Sequence, residues 1–154
     1  MSGRGKIIVI MGSKSDLNFA ERIGDFLQKA EINVRCKYEV ASAHRTPDIL
    51  IEKLRENEES DDKIVYITVA GLSDALSGMV AGYTKYPVIA CPPDMDRYGW
   101  AKAFSSAMTP KGVPVLLAMS PENAALAAAE ILALTDSELY EGIEAYKRER
   151  REAT

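Results

Sequence analysis

The segment Lys6-Ile7-Ile8-Val9-Ile10-Met11 carries apolar side chains at five successive positions. Successive side chains of an extended strand point to opposite faces, so this segment is apolar on both sides and needs cover on both. Strands of that kind belong to parallel sheets enclosed by helices. Residues 33–40, 63–70, 87–90 and 113–119 supply four further extended candidates. Between them, Phe19, Ile23, Phe26, Leu27 and Ala30 form one stripe at helical spacing, and Ile49, Leu50 and Leu54 form another. Ser15 or Asp16 can cap the first helix. Pro47 with Asp48 can open the second, since proline at the first helical position gives up no needed hydrogen bond. The alternation of strand and helix predicts an α/β fold, a three-layer α/β/α sandwich on a central parallel sheet. Residues 136–152 add a C-terminal amphipathic helix with Leu139, Ile143 and Tyr146 on one side.

A chain of 154 residues can bury a substantial core and leaves little room for a second, so residues 1–154 are expected to form a single domain. Its net charge of −4 argues against nucleic acid or an anionic membrane as the main partner, and any anion must be caught by local geometry. Cys36 and Cys91 offer no disulfide framework and no paired metal spacing, and one histidine cannot complete the usual zinc sets. The expectation is a reducing cytoplasmic setting with no metal. The apolar run after Lys6 is too short for a signal-peptide core or a membrane span.

In a sheet of this kind the ligand crevice lies beyond the carboxyl ends of the strands, where loops enter the following helices. Three polar loops should gather there. The first is Gly12-Ser13-Lys14-Ser15-Asp16, which has the position of a phosphate cradle without the Walker or dinucleotide pattern. Ser15 and Asp16 also read as simple caps, and Asp16 alternatively as an acceptor for ribose hydroxyls. The second loop, Ser42-Ala43-His44-Arg45-Thr46, holds the only histidine beside a permanent cation. An imidazole, with an unperturbed pKa of about 6.5, can move a proton in either direction near neutrality, although a lone histidine can equally be structural and Arg45 a surface charge. The third, residues 71–78, is rich in glycine and small hydroxyl side chains and suits either a planar ligand or a plain tight turn. A fourth, Cys91-Pro92-Pro93, follows the next strand.

Together, Gly12-Ser13-Lys14-Ser15-Asp16 and Ser42-Ala43-His44-Arg45-Thr46-Pro47-Asp48 closely resemble the PurE family of purine biosynthesis. The resemblance runs from about Ile7 to Leu134 and takes in Tyr86-Pro87-Val88-Ile89-Ala90-Cys91-Pro92-Pro93 and the alanine-rich segment 123–134. It implies a flavodoxin-like sheet and an enzyme acting on aminoimidazole ribonucleotide with no cofactor. The third loop reads Gly71-Leu72-Ser73-Asp74-Ala75-Leu76-Ser77-Gly78, without the histidine typical of the mutases. It therefore looks like the carboxylase class, which joins aminoimidazole ribonucleotide directly to carbon dioxide. Leu72 and Arg45 depart from that class, where arginine and lysine are common at the two positions, and arginine at the second is the mutase habit.

By the same resemblance His44 would carry the proton. Ser13, Ser42 and Arg45 would bind the phosphate or its surroundings, Asp16 the ribose, and Gly71 and Ser73 would shape the pocket for base and carbon dioxide. The resemblance further implies a homo-octamer. The small residues of segment 123–134 allow close helix contacts, either between subunits or within one. Two other readings stand beside the carboxylase: an N-carboxyaminoimidazole ribonucleotide mutase, and a nucleotide- or flavin-binding module without catalysis.

Overall fold

A computed structural model describes residues 5–154; the first four residues, to which the reading of the N-terminus extends, lie outside it. Five parallel strands form one sheet: β1 (Gly5–Met11), β2 (Arg35–Val40), β3 (Lys63–Val69), β4 (Val88–Ala90) and β5 (Leu116–Leu117). Their spatial order is β2-β1-β3-β4-β5, the flavodoxin-like order, with its reversal between β1 and β3. The helices are α1 (Leu17–Lys29), α2 (Pro47–Asn57), α3 (Ala75–Tyr83), α4 (Met95–Tyr98), α5 (Trp100–Ala107), α6 (Pro121–Ala133) and α7 (Ser137–Glu152). None among the described residues is long and apolar enough to cross a membrane.

Ile7 to Ile10 are fully buried, and the period-two alternation of β1 sends them into two separate cores. Ile7, Val9 and Met11 pack with Val65, Ile67 and Val69 of β3 under α1, α6 and α7. Ile8 and Ile10 pack with Ile64 and Tyr66 under Leu50 and Leu54 of α2 and Leu76 and Val80 of α3. Each such side chain contributes about 1.5–3 kcal/mol on removal from water, which holds the strands in register and fixes where their ends emerge. Ala124, Ala125, Ala128 and Ala129 are fully buried, so the alanine-rich segment lies close over the sheet inside its own subunit. The predicted C-terminal helix carries its stripe as expected, with Tyr146 edge-on to Phe26 at 5.5 Å.

Two local expectations change. Of the two caps expected for the first helix, Asp16 holds the N-cap position of α1 and Ser15 does not. Ser13 caps a short 3-10 turn, Lys14–Asp16, that precedes α1, and Asp16 occupies the next boundary without capping through its side chain. The extended segment 113–119 is reduced to two paired residues. β5 lies at the sheet edge against a three-residue neighbour, and Pro114 has no N–H to give a ladder.

Candidate functional site

β1 and β3 are neighbours whose following helices depart to opposite faces, so a crevice opens between the loops beyond their carboxyl ends. The structure has a cleft there of about 430 Å³. Its walls come from four loops: Gly12, Ser13, Ser15 and Asp16 after β1; Ser42 to Arg45 after β2; Ala70 to Ser73 after β3; and Asp94 with Arg97 after β4. All seven site residues anticipated from the sequence, Ser13, Asp16, Ser42, His44, Arg45, Gly71 and Ser73, line this one cleft.

The first two loops are rigid for local reasons. Gly12 N–H donates to Val69 O at 2.9 Å, extending the β1–β3 ladder to the cleft floor. Ser13 Oγ accepts from Ser15 N–H at 3.3 Å and from Ser15 Oγ at 2.9 Å. In the second loop Thr46 Oγ1 accepts from Ser42 N–H at 3.0 Å, Ser42 O accepts from Thr46 N–H at 2.9 Å, and Ser42 Oγ accepts from Arg45 N–H at 3.1 Å. Pro47 at the start of α2 keeps Thr46 out of the helix, which turns the chain and leaves His44 and Arg45 exposed at the rim. The two serines share one consequence. Each hydroxyl oxygen is already accepting, so its own proton remains to be given to a group in the cleft that Arg45 also lines.

The third loop is built more tightly. A methyl group on Gly71 would meet Asp94 Oδ2 at 2.9 Å and lie 4.0 Å from Asp16 Oδ1, so any larger residue would push the Asp94 carboxylate aside where two carboxylates converge. Leu72 is left-handed, with φ 57°, and its N–H donates to Asp94 Oδ2 at 3.1 Å. That conformation costs a non-glycine residue about 1–2 kcal/mol. It turns an exposed leucine side chain onto the cleft rim. Asp74 caps α3, accepting from Ser77 N–H at 2.9 Å and Ser77 Oγ at 2.5 Å, while its own N–H donates to Ser105 Oγ of α5 at 2.8 Å.

The electrostatics concentrate at the same place. Burial, joined by the charge of Asp94, raises the Asp16 carboxyl above the ordinary aspartate range, against the pull of a Ser13 backbone hydrogen bond and the Lys102 ammonium. Burial pushes Lys102 below the ordinary lysine range, against the charges of Asp74, Asp94 and Asp16. The two thiols are different in kind. Burial pushes Cys36 up to about 11 and Cys91 up to about 12, so neither is a ready nucleophile near neutrality.

Asp94, Arg97 and Lys102 were not anticipated. The first two had a legible signal, since they follow the carboxyl end of the fourth strand just after Cys91-Pro92-Pro93. Lys102 had none, because a lysine in an amphipathic helix reads as part of the solvent face.

Comparisons with known proteins agree on one family. The sequence model of AIR carboxylase matches residues 6–153. Phosphoribosylaminoimidazole carboxylase of Archaeoglobus fulgidus is 43% identical over 146 residues, covering 95% of this chain and 79% of that protein. N5-carboxyaminoimidazole ribonucleotide mutase of Methanocaldococcus jannaschii is 41% identical over 147 residues, covering 94% and 90%. The crystal structure of Treponema denticola PurE superimposes with a TM-score of 0.92 at 37% identity, covering 97% of this chain and 94% of that one.

Proposed function

The chain belongs to the AIR carboxylase family of purine-biosynthesis enzymes, and from that membership we propose that it is a carboxylase, joining aminoimidazole ribonucleotide reversibly to carbon dioxide. The reading rests on one observation: a proton carrier, a cation and two donor hydroxyls face a single cleft with Gly71 and Ser73 opposite. The electron-rich ring carbon attacks carbon dioxide, forming the carbon–carbon bond and leaving a ring proton that His44 removes to restore aromaticity. In reverse His44 returns that proton and the same bond breaks, so one imidazole is both base and acid. Ser13, Ser42 and Arg45 hold the phosphate, Asp16 the ribose, and Gly71 with Ser73 shapes the space for base and carbon dioxide. Residues 1–154 act as one catalytic domain in the cytosol.

The carboxylase is favoured over the mutase because His44 is the only histidine, leaving none for the third loop. Supplying aminoimidazole ribonucleotide with bicarbonate, and separately the N-carboxylated nucleotide, at times short against the latter's spontaneous decay, tests the assignment. Direct consumption of the first supports it, and direct consumption of the second alone overturns it. His44→Asn should lower turnover by about 10²–10⁴-fold while nucleotide binding, read by calorimetry, persists. Near-normal turnover in that variant would remove His44 from the proton transfer. A homo-octamer is the assembly proposed, supported by the exposed Trp100, Phe104, Met108, Leu116 and Met119 around α5 and the sheet edge.

A further inference from the structure

Helix α5 turns an unusual face inward. Lys102 is 2% exposed and Ser106, one helical turn later, 1% exposed, and neither Lys102 Nζ nor Ser106 Oγ has a hydrogen-bond partner among the described residues. Burying an ammonium is among the costliest things a fold can do unless charge nearby compensates it. The compensation comes from the cleft. Ser105, between the two, accepts from Asp74 N–H and so ties α5 to the third loop. Asp94 and Asp16 converge on Gly71 a few residues away along that loop. Of the elements packed against α5, α3 and β5 contain no charged residue, and α4 brings Asp96 and Arg97, of opposite sign and both exposed. The buried ammonium therefore sits in the field of Asp74, Asp94 and Asp16, with none of the three hydrogen-bonded to it.

We propose that Lys102 is a positioning residue of the cleft, a fixed buried cation that helps keep Asp16 ionised beside Gly71 and so an acceptor for substrate. The inference rests on the ribose role assigned to Asp16, and it adds a residue that touches no substrate. The burial of Asp16 and its repulsion by Asp94 both favour protonation; the Ser13 backbone hydrogen bond and, after it, the Lys102 charge oppose them. Removing the cation should let Asp16 take up a proton at higher pH, weakening binding on the acid side and leaving the His44 step alone.

Two measurements test this. In ¹⁵N-lysine-labelled protein, Lys102 has the only buried lysine ammonium among the described residues and is recognised by slow proton exchange with solvent. Its deprotonation should move to lower pH in Asp16→Asn and in Asp94→Asn, each of which removes a compensating charge. Unchanged titration in both variants overturns the coupling, and this arm does not need any Lys102 variant to fold. In Lys102→Met, KM at pH 5 should rise severalfold more than KM at pH 8, with kcat nearly unchanged, and Lys102→Arg should restore the flatter profile. A Lys102→Met protein whose KM profile matches wild type overturns the positioning role even if the titrations are coupled. Failure of the carboxylase reading would appear separately, as absence of turnover in the unmodified enzyme.

Discussion

Asp16 shows how lining a cleft can cost a fold stability. Its carboxyl is raised by burial and by Asp94, so ionising it is harder in the folded chain than in the unfolded one. For an acid shifted this way, the favourable contribution is present below the unfolded value and is lost as pH rises through the folded value. At pH 7 the charge is therefore a net cost. Asp16→Asn should raise the melting temperature at pH 7, lose that advantage at pH 3, and weaken nucleotide binding; calorimetric melting and titration at both pH values check all three. Leu72 stores strain of a related kind, in a left-handed conformation held by its N–H donating to Asp94. Neither cost is visible in the sequence. Asp16 reads there as a cap and Leu72 as one more apolar residue, because what strains them comes from a loop more than twenty residues further along.

At the opposite end of the sheet the strands are clasped by charge. Lys6 of β1 and Arg35 of β2 are register partners, and Asp62, just before β3, meets Lys6 Nζ at 3.3 Å and the Arg35 guanidinium at 3.1 Å. Burial alone would raise the Asp62 carboxyl, but the Lys6 hydrogen bond and the charges of Arg35 and Lys6 outweigh it and hold it below the ordinary range. A depressed carboxyl contributes stability above its unfolded pKa, and the contribution disappears as pH falls through the folded value. Asp62→Asn should cost about 0.5–1 kcal/mol at pH 7, at the upper end for pairs that are partly exposed. The difference should shrink as pH falls below the ordinary aspartate range, and catalysis should be untouched because the clasp is at the far end from the cleft. Denaturant melts across pH, with initial rates, are the measurement. β1 and β3 were legible from sequence because both their faces are buried, which writes an unbroken apolar run. β5 was legible only as a region. At an edge, the length of a strand is set by what lies beside it, and β4 offers β5 only three residues. The Ser13-capped 3-10 turn ahead of α1 was missed for a similar reason: Ser13, Ser15 and Asp16 are all capping residues, and the choice of Ser13 fell to the path of the chain leaving β1.

The assembled fold leaves one broad apolar surface uncovered. Trp100, Phe104 and Met108 stand exposed along α5, and Leu116, Leu117 and Met119 stand exposed at the sheet edge that packs against it. Phe104→Glu should put a charge into that surface and shift the mass measured by light scattering from an oligomer toward a single subunit. A wild-type protein already monomeric at working concentration would contradict the assembly. The linear chain was enough to specify the layered α/β/α architecture, the strand ends as the place of the cleft, and all seven of the residues expected to line it. Those features are local: side-chain period, proline and glycine positions, and short motifs each depend on residues close together in the chain. The convergence of Asp94 and Asp16 on Gly71, the strain at Leu72 and the burial of Lys102 behind three carboxylates came only with the folded molecule. They arise between segments brought together by packing, and burial and the distance between charges are properties of that packing.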